Sequence, residues 1–262
     1  FNCNSSTNGY VDVDLQRDSG SNVMKLLDTS GGNMKLRKNN RDIKLRVAGL
    51  SLMPDNIICP MRNVAQCKEP CLQYSGRGNF GNVTNARQTK TDYYHQDRKE
   101  FLRQLSHELT NFEKLCRTSN VEPWARLNVI SDVQWEKTTN GAIPQAFPGI
   151  QFLDYTKVAK RLGNTPANYN LIFSWSGAAK YKPQVRKALT TKAPISAVFH
   201  GPLPKTFLGR EVVDGDNSDV ENVFKFDKII GLKYKLAKGQ AINTIDSVFI
   251  VNTTEKRASA NS

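Results

Sequence analysis

Hydrophobic and polar positions follow two different rhythms along the chain. From Phe101 onward apolar residues recur at three- and four-residue spacing, as Phe101, Leu102, Leu105, Leu109, Phe112 and Leu115. That period belongs to a helix with one buried face. It predicts one long helix, or two abutting ones, from Asn82 to about Thr118, with Cys116 beside the stripe and His107 on the exposed side. Elsewhere the apolar residues come in short runs: 45–53, WARLNVI (124–130), IQFLDY (150–155), YNLIFSW (169–175), ISAVF (195–199), EVVDGD (211–216), KIIGLK (228–233) and DSVFIV (246–251). Between some of them lie stretches of helical character, TKVAKRLG and KPQVRKAL. Short apolar runs alternating with helices indicate βαβ units and a parallel sheet. Roughly eight strands predict an α/β fold, a (β/α) barrel or partial barrel of TIM type.

Residues 1–22 are rich in Asn, Ser, Gly and Asp and show no period. Residues 23–44 hold an SGG turn and the basic run KLRKNNRDIK. Residues 1–44 therefore read as a flexible N-terminal extension, and 45–262 as a single α/β barrel-like domain. No repeat or linker divides the latter.

Chemistry concentrates in residues 51–82, SLMPDNIICPMRNVAQCKEPCLQYSGRGNFGN. Cys59, Cys67 and Cys71 lie here, followed by Gly76, Gly78 and Gly81. Cys67 and Cys71 are one helical turn apart, and Pro60 keeps the chain after Cys59 extended or turning. Three thiolates at this spacing suit a soft metal or an iron–sulfur cluster. A structural zinc site wants four protein ligands, and only the distant His95 and Cys116 offer a fourth. Three readings stay open: a four-iron cluster with one open iron, a zinc site, and three packed thiols behaving as small hydrophobes. Cys3 stands apart from the group.

Polar residues gather after the predicted strands: Ser131 and Asp132, Asp154 and Lys157, Ser174, His200, Asp214 to Asp219, and Lys233. In a barrel all these ends share one face, where active sites are built. Asp132, Asp154, Lys157 and Asp214 are the candidate catalytic residues. Gly76, Gly78, Asn128, Ser174 and Lys233 are the candidate cofactor contacts. Carboxylates can hold ribose hydroxyls or an amine, lysines a carboxylate or phosphate, and glycines let the backbone approach a ligand. The competing reading is that Asp and Ser after a strand cap the next helix.

The net charge of +13, from 37 Lys and Arg against 24 Asp and Glu, favours polyanions. A nucleic-acid reading would use Arg62, Arg77, Arg87, Lys90 and Arg98 on phosphates and Tyr93 and Tyr94 for stacking, with zinc or a cluster as a staple and no catalysis. No nucleic-acid motif accompanies them. No apolar run approaches the ~20 residues that span a membrane. Five cysteines, three of them clustered, do not form a secreted disulfide pattern.

Two resemblances follow from these residues. The segments LSLMPDNIICPMRNVAQCKEPCLQYSGRG, RLNVISDVQWE, FLDYTK, NYNLIFS, VVDGDNSD and GLKYK resemble the phage family of gene product 88 domain proteins, over about Leu50 to Ala237. That likeness implies a phage-encoded protein and no particular reaction; with the cysteine pattern, which reads as cytosolic, the expected place is the host cytoplasm. A strand followed by a three-cysteine loop at the start of an α/β barrel is also similar to radical S-adenosylmethionine enzymes. There, three cysteines hold a four-iron cluster and S-adenosylmethionine chelates the fourth iron. This second likeness implies a cluster on Cys59, Cys67 and Cys71, S-adenosylmethionine as cofactor, and a small molecule or nucleotide as substrate. The spacing departs from that family: C-x7-C-x3-C stands where C-x3-C-x2-C is usual.

Overall fold

A computed structural model describes residues 24–30, 36, 38–42, 44–67, 81–138, 143–234 and 247–254. Its frame is a nine-stranded sheet. The strands are β1 (Leu45–Gly49), β2 (Glu122–Arg126), β3 (Gln151–Thr156), β4 (Tyr169–Ser174), β5 (Ile195–His200), β6 (Thr206–Phe207), β7 (Arg210–Asp214), β8 (Ile229–Lys233) and β9 (Ile250–Asn252). The order is β1-β2-β3-β4-β5-β8-β7-β6, with β9 also paired to β5. Every pair is parallel except the short β6–β7 hairpin. Val198 and Phe199 pair with both β8 and β9, so those two strands flank β5 on opposite edges. β9 thus takes up the edge of β5 beyond the short stretch that β4 covers.

The sheet is α/β and mostly parallel, as its short apolar runs predict, but it is not a closed barrel. Strands follow chain order only from β1 to β5. The order then reverses through β8, β7 and β6, and among the described residues no pairing joins β1 to that far edge. The outer side of β1 is instead met by residues before it, where Asp28 and Gly49 exchange two backbone hydrogen bonds of 2.8 and 2.9 Å.

Two cores lie on the two faces, sorted by the alternation of the strands. Val47, Trp124, Leu153, Ile172 and Ile230 share one, with Leu36, Val220 and Val223 packed against them. Ala48, Ala125, Phe152, Phe173, Ala197 and Ile229 share the other, larger one, which takes in the long helices. Those helices are α1 (Gly81–Gln96) and α2 (Arg98–Thr118). They abut at Asp97, whose side chain caps α2 by accepting the Glu100 N–H at 3.0 Å. The buried stripe of α2 is Phe101, Leu102, Leu105, Leu109, Phe112 and Cys116. Leu115, expected in it, is 45% exposed; the helical period selects the four-residue step from Phe112 to Cys116 over the three-residue step.

The remaining connections are short: α3 (Ile143–Ala146), α4 (Lys182–Leu189) and α5 (Asp219–Asn222). TKVAKRLG, expected as a helix, makes only a 3-10 turn over Ala159–Arg161. The described part of the N-terminal extension is packed. Leu26, Leu27 and Leu36 are buried, and the N–H groups of Leu26 and Leu27 donate to the Glu108 carboxylate of α2 at 2.7–3.1 Å.

Candidate functional site

Parallel strands all end on the same side, and an open α/β sheet binds ligands in the crevice beyond those ends. The crevice here is a cavity of about 340 Å³, within the range of small-molecule sites. β2 ends in it with Arg126, β4 with Ser174 and β8 with Lys233; β5 contributes Ser196 and Val198.

The loop after β1 closes one side. The Asp55 carboxylate starts a chain of turns by accepting the N–H groups of Ile57 and Ile58 at 2.7 and 2.8 Å. Cys59 N–H then donates to the Asp55 carbonyl, Arg62 N–H to that of Cys59, and Ala65 N–H to that of Met61. Gln66 takes a left-handed φ of 50°, and the reversal ends with Cys67 N–H on the Arg62 carbonyl at 3.2 Å. Two clamps hold the loop across the strand ends. Asp132 N–H donates to the Ile58 carbonyl at 3.2 Å, and the Ser176 hydroxyl to the Ala65 carbonyl at 2.6 Å. Cys59 and Cys67 both line the cavity, the first partly exposed and the second buried. Cys71, Gly76 and Gly78 lie outside the described residues. Among the described residues no group of three or more His, Cys, Asp or Glu side chains is arranged to hold a metal. Neither distant fourth ligand faces the cavity. His95 sits 2.6 Å from the Asp55 carboxylate at the root of the loop, and Cys116 is fully buried under α2, where burial pushes its thiol pKa up.

Of the strand-end residues, Asn128, Asp132, Lys157, Ser174 and Lys233 line the cavity, and Asp154 and Asp214 do not. Asp154 shares its strand parity with Phe152, so it faces the helix-covered core and its neighbour Tyr155 takes the cavity side. Asp214 lies on the surface, paired with Lys233 at 2.9 Å, and Asp216 lines the cavity in its place.

Beneath the floor runs a buried polar network. Arg161, 1% exposed at its side chain, grips Glu136 with two bonds of 2.9 Å and Asp132 with one of 2.6 Å. It also donates to the Tyr169 hydroxyl at 3.0 Å, which itself donates to Asp154 at 2.7 Å. Asp154 further accepts the backbone and side-chain N–H groups of Asn128, at 2.7 and 3.2 Å. Burial pushes the Asp154 carboxyl up to about 7, and raises Asp132 too, against the pull of Arg161. Asp132 also accepts the Lys157 N–H at 2.8 Å. The Lys157 ammonium donates to the hydroxyl and carbonyl of Ser174, at 2.9 and 3.2 Å, and lies 4.4 Å from the Phe249 ring centre.

A second cluster stands in the cavity wall; the sequence places Asp219 among the strand-end polar residues but does not show its pairing with Lys38 and Arg126. Asp219, at the start of α5, is 2% exposed. It receives Lys38 at 2.9 Å, Arg126 at 2.8 Å and the Tyr155 hydroxyl at 2.7 Å. Burial works to raise its pKa, but the two cations and the hydroxyl hold it below the usual carboxylate value. The available signal was Arg126 itself, a charge inside the apolar run WARLNVI.

The residues expected to hold nucleic acid do not form an open row. Arg87 is 9% exposed, Tyr94 is 2% exposed, and the Lys90 ammonium donates to the Leu26 carbonyl at 2.7 Å. Arg77 lies outside the described residues. Among the described residues no helix is long and apolar enough to cross a membrane.

A family model described as Gene product 88 matches residues 24–252. No curated protein and no solved structure matches the chain.

Proposed function

The chain belongs to the gene product 88 family, and from that premise we propose that it is an enzyme whose strand-end cavity binds a small molecule or nucleotide beside an iron–sulfur cluster on Cys59, Cys67 and Cys71. One observation carries this reading: the two described thiols of the three-cysteine loop line the same cavity as Asp132, Lys157 and Ser174. The donor set suits the group. Two thiols on a loop clamped at both ends are positioned without help from the ligand. When bound, a cluster with an open iron supplies one-electron chemistry. The protein's own residues do the rest. Lys157 and Ser174 orient a polar group of the ligand, Asp132 holds the Lys157 backbone, and the Arg161 network keeps Asp132 in place.

The test is purification without oxygen, with iron, labile sulfide and zinc quantified alongside the visible spectrum. Iron and sulfide are expected, with brown colour, and each of Cys59→Ser, Cys67→Ser and Cys71→Ser should abolish both while leaving the far-ultraviolet circular dichroism unchanged. Full metal content in all three single variants would overturn the proposal. Zinc without iron would replace the cluster by a zinc centre.

A further inference from the structure

We propose that the part of the cavity wall built by Lys38, Arg126, Tyr155 and Asp219 is a subsite for the anionic group, phosphate or carboxylate, of a small organic ligand. The proposal rests on the reading of this cavity as the functional site, but it uses none of the thiols.

The charge count comes first. Lys38 and Arg126 share a single carboxylate, that of Asp219, so the cluster carries an excess positive charge. The side chains of Arg126 and Asp219 are 8% and 2% exposed, so water and salt screen that charge poorly. The other two carboxylates in the lining are engaged by the protein: Asp132 by Arg161 and the Lys157 N–H, and Asp216 by the Lys233 N–H at 3.2 Å. The cavity therefore offers an anion more attraction than repulsion.

Unmet hydrogen bonding comes second. The buried Nε of Arg126 has no acceptor among the described residues. A buried donor without a partner is costly, and an oxygen drawn in by the guanidinium would remove that cost. Lys38, 21% exposed at its side chain, has further ammonium hydrogens beyond the one given to Asp219. The Arg126 guanidinium lies over the Tyr155 ring, 4.8 Å from its centre, and is held there by Asp219 at 2.8 Å, so an oxyanion meets a guanidinium already in place. Beside the cluster, Val129, Ile130 and Leu232 form an apolar wall. The ligand that fits has an apolar or ring-bearing body and one charged end.

Calorimetric titration of the full chain with adenosine 5′-monophosphate, adenosine and benzoate tests the subsite. At least one of the two anions should bind, and which one does separates phosphate from carboxylate. Adenosine should bind about tenfold more weakly than its monophosphate if phosphate is the preferred group. Lys38→Gln should weaken the binding anion by about tenfold, the size of one charge-assisted hydrogen bond, and Lys38→Arg should restore it. Should Lys38→Gln not fold, displacement of the bound anion from the wild-type chain by inorganic phosphate or by acetate carries the same test. Failure of both anions to bind, or binding indifferent to Lys38→Gln and to the competing ion, overturns the proposal. A Cys59→Ser, Cys67→Ser, Cys71→Ser triple variant separates the two readings. Retained anion binding with lost metal keeps the subsite, and lost anion binding in wild-type protein that still holds metal sinks the subsite alone.

Discussion

Asp154 and Asp219 are both sealed from water, yet their surroundings push them in opposite directions. Asp154, under the cavity floor, is held by the neutral donors of Asn128 and Tyr169, and burial lifts its pKa to about 7. Asp219, in the cavity wall, meets two cations directly and stays below the usual carboxylate range. Neutral hydrogen bonds satisfy geometry without compensating the lost hydration of a charge; the two cations on Asp219 do both, whereas the single cation on Asp132 does not outweigh its burial. The floor is thus a scaffold that tolerates a proton, and the wall is a permanently charged surface.

The largest expected effect comes from removing the cation on which the floor depends. Arg161→Met leaves Asp132 and Glu136 buried without their partner. The cost should be roughly 3–5 kcal/mol, read from urea denaturation. A loss under about 1 kcal/mol would show that those carboxylates take up protons or water at little cost, and the contrast between floor and wall would collapse.

Next comes pH, where the two carboxylates should show opposite signs. A raised carboxyl favours the folded state only while protonated. The stability advantage of the wild-type chain over Asp154→Asn should therefore be greatest near pH 4 and fall as the pH climbs toward about 7. From the ordinary value of 3.8 to about 7, the change is roughly 4 kcal/mol at most. A lowered carboxyl works the other way. The advantage over Asp219→Asn should hold from pH 5 upward and shrink as the pH falls below about 4. Thermal melts of the three proteins across this range decide the matter, and slopes of the same sign would refute the distinction.

The sequence carried the wall and the floor unequally. KPQVRKAL reads as a helix and forms one over those residues, Lys182–Leu189, and the apolar runs mark the parallel strands because both faces of the sheet are covered. The strand ends were legible as a place, but not residue by residue. A strand turns alternate side chains to opposite faces, so the polar Asp154 went under the floor and Tyr155 into the cavity. Arg161 was hidden inside an apparent helix, TKVAKRLG, because helical spacing cannot show that a guanidinium will be drawn into the core by Asp132 and Glu136. Lys38 sat in a stretch whose composition suggested a solvated arm. Its role depends on contact with Asp219, far away in the chain, and no local pattern encodes such a pairing.

The smallest expected effect is the most discriminating, because it removes one oxygen from each region. Tyr169→Phe takes a donor from Asp154 and, with the same atom, an acceptor from Arg161. Among the described residues only Asn128 then remains to hydrogen-bond the Asp154 carboxyl, so the loss should be about 2 kcal/mol, with the Asp154 pKa rising further. Tyr155→Phe also removes a donor from a buried carboxylate. Here Lys38 still covers one Asp219 oxygen and Arg126 the other, and the phenyl ring still lies against the Arg126 guanidinium. That loss should be nearer 1 kcal/mol, with little change in the acid limb of stability. Denaturant melts of both variants at pH 5 and pH 8 give the comparison. If the two hydroxyls prove equally costly, the cations around Asp219 are not what separates the two regions, and the difference must lie instead in how tightly each carboxylate is packed.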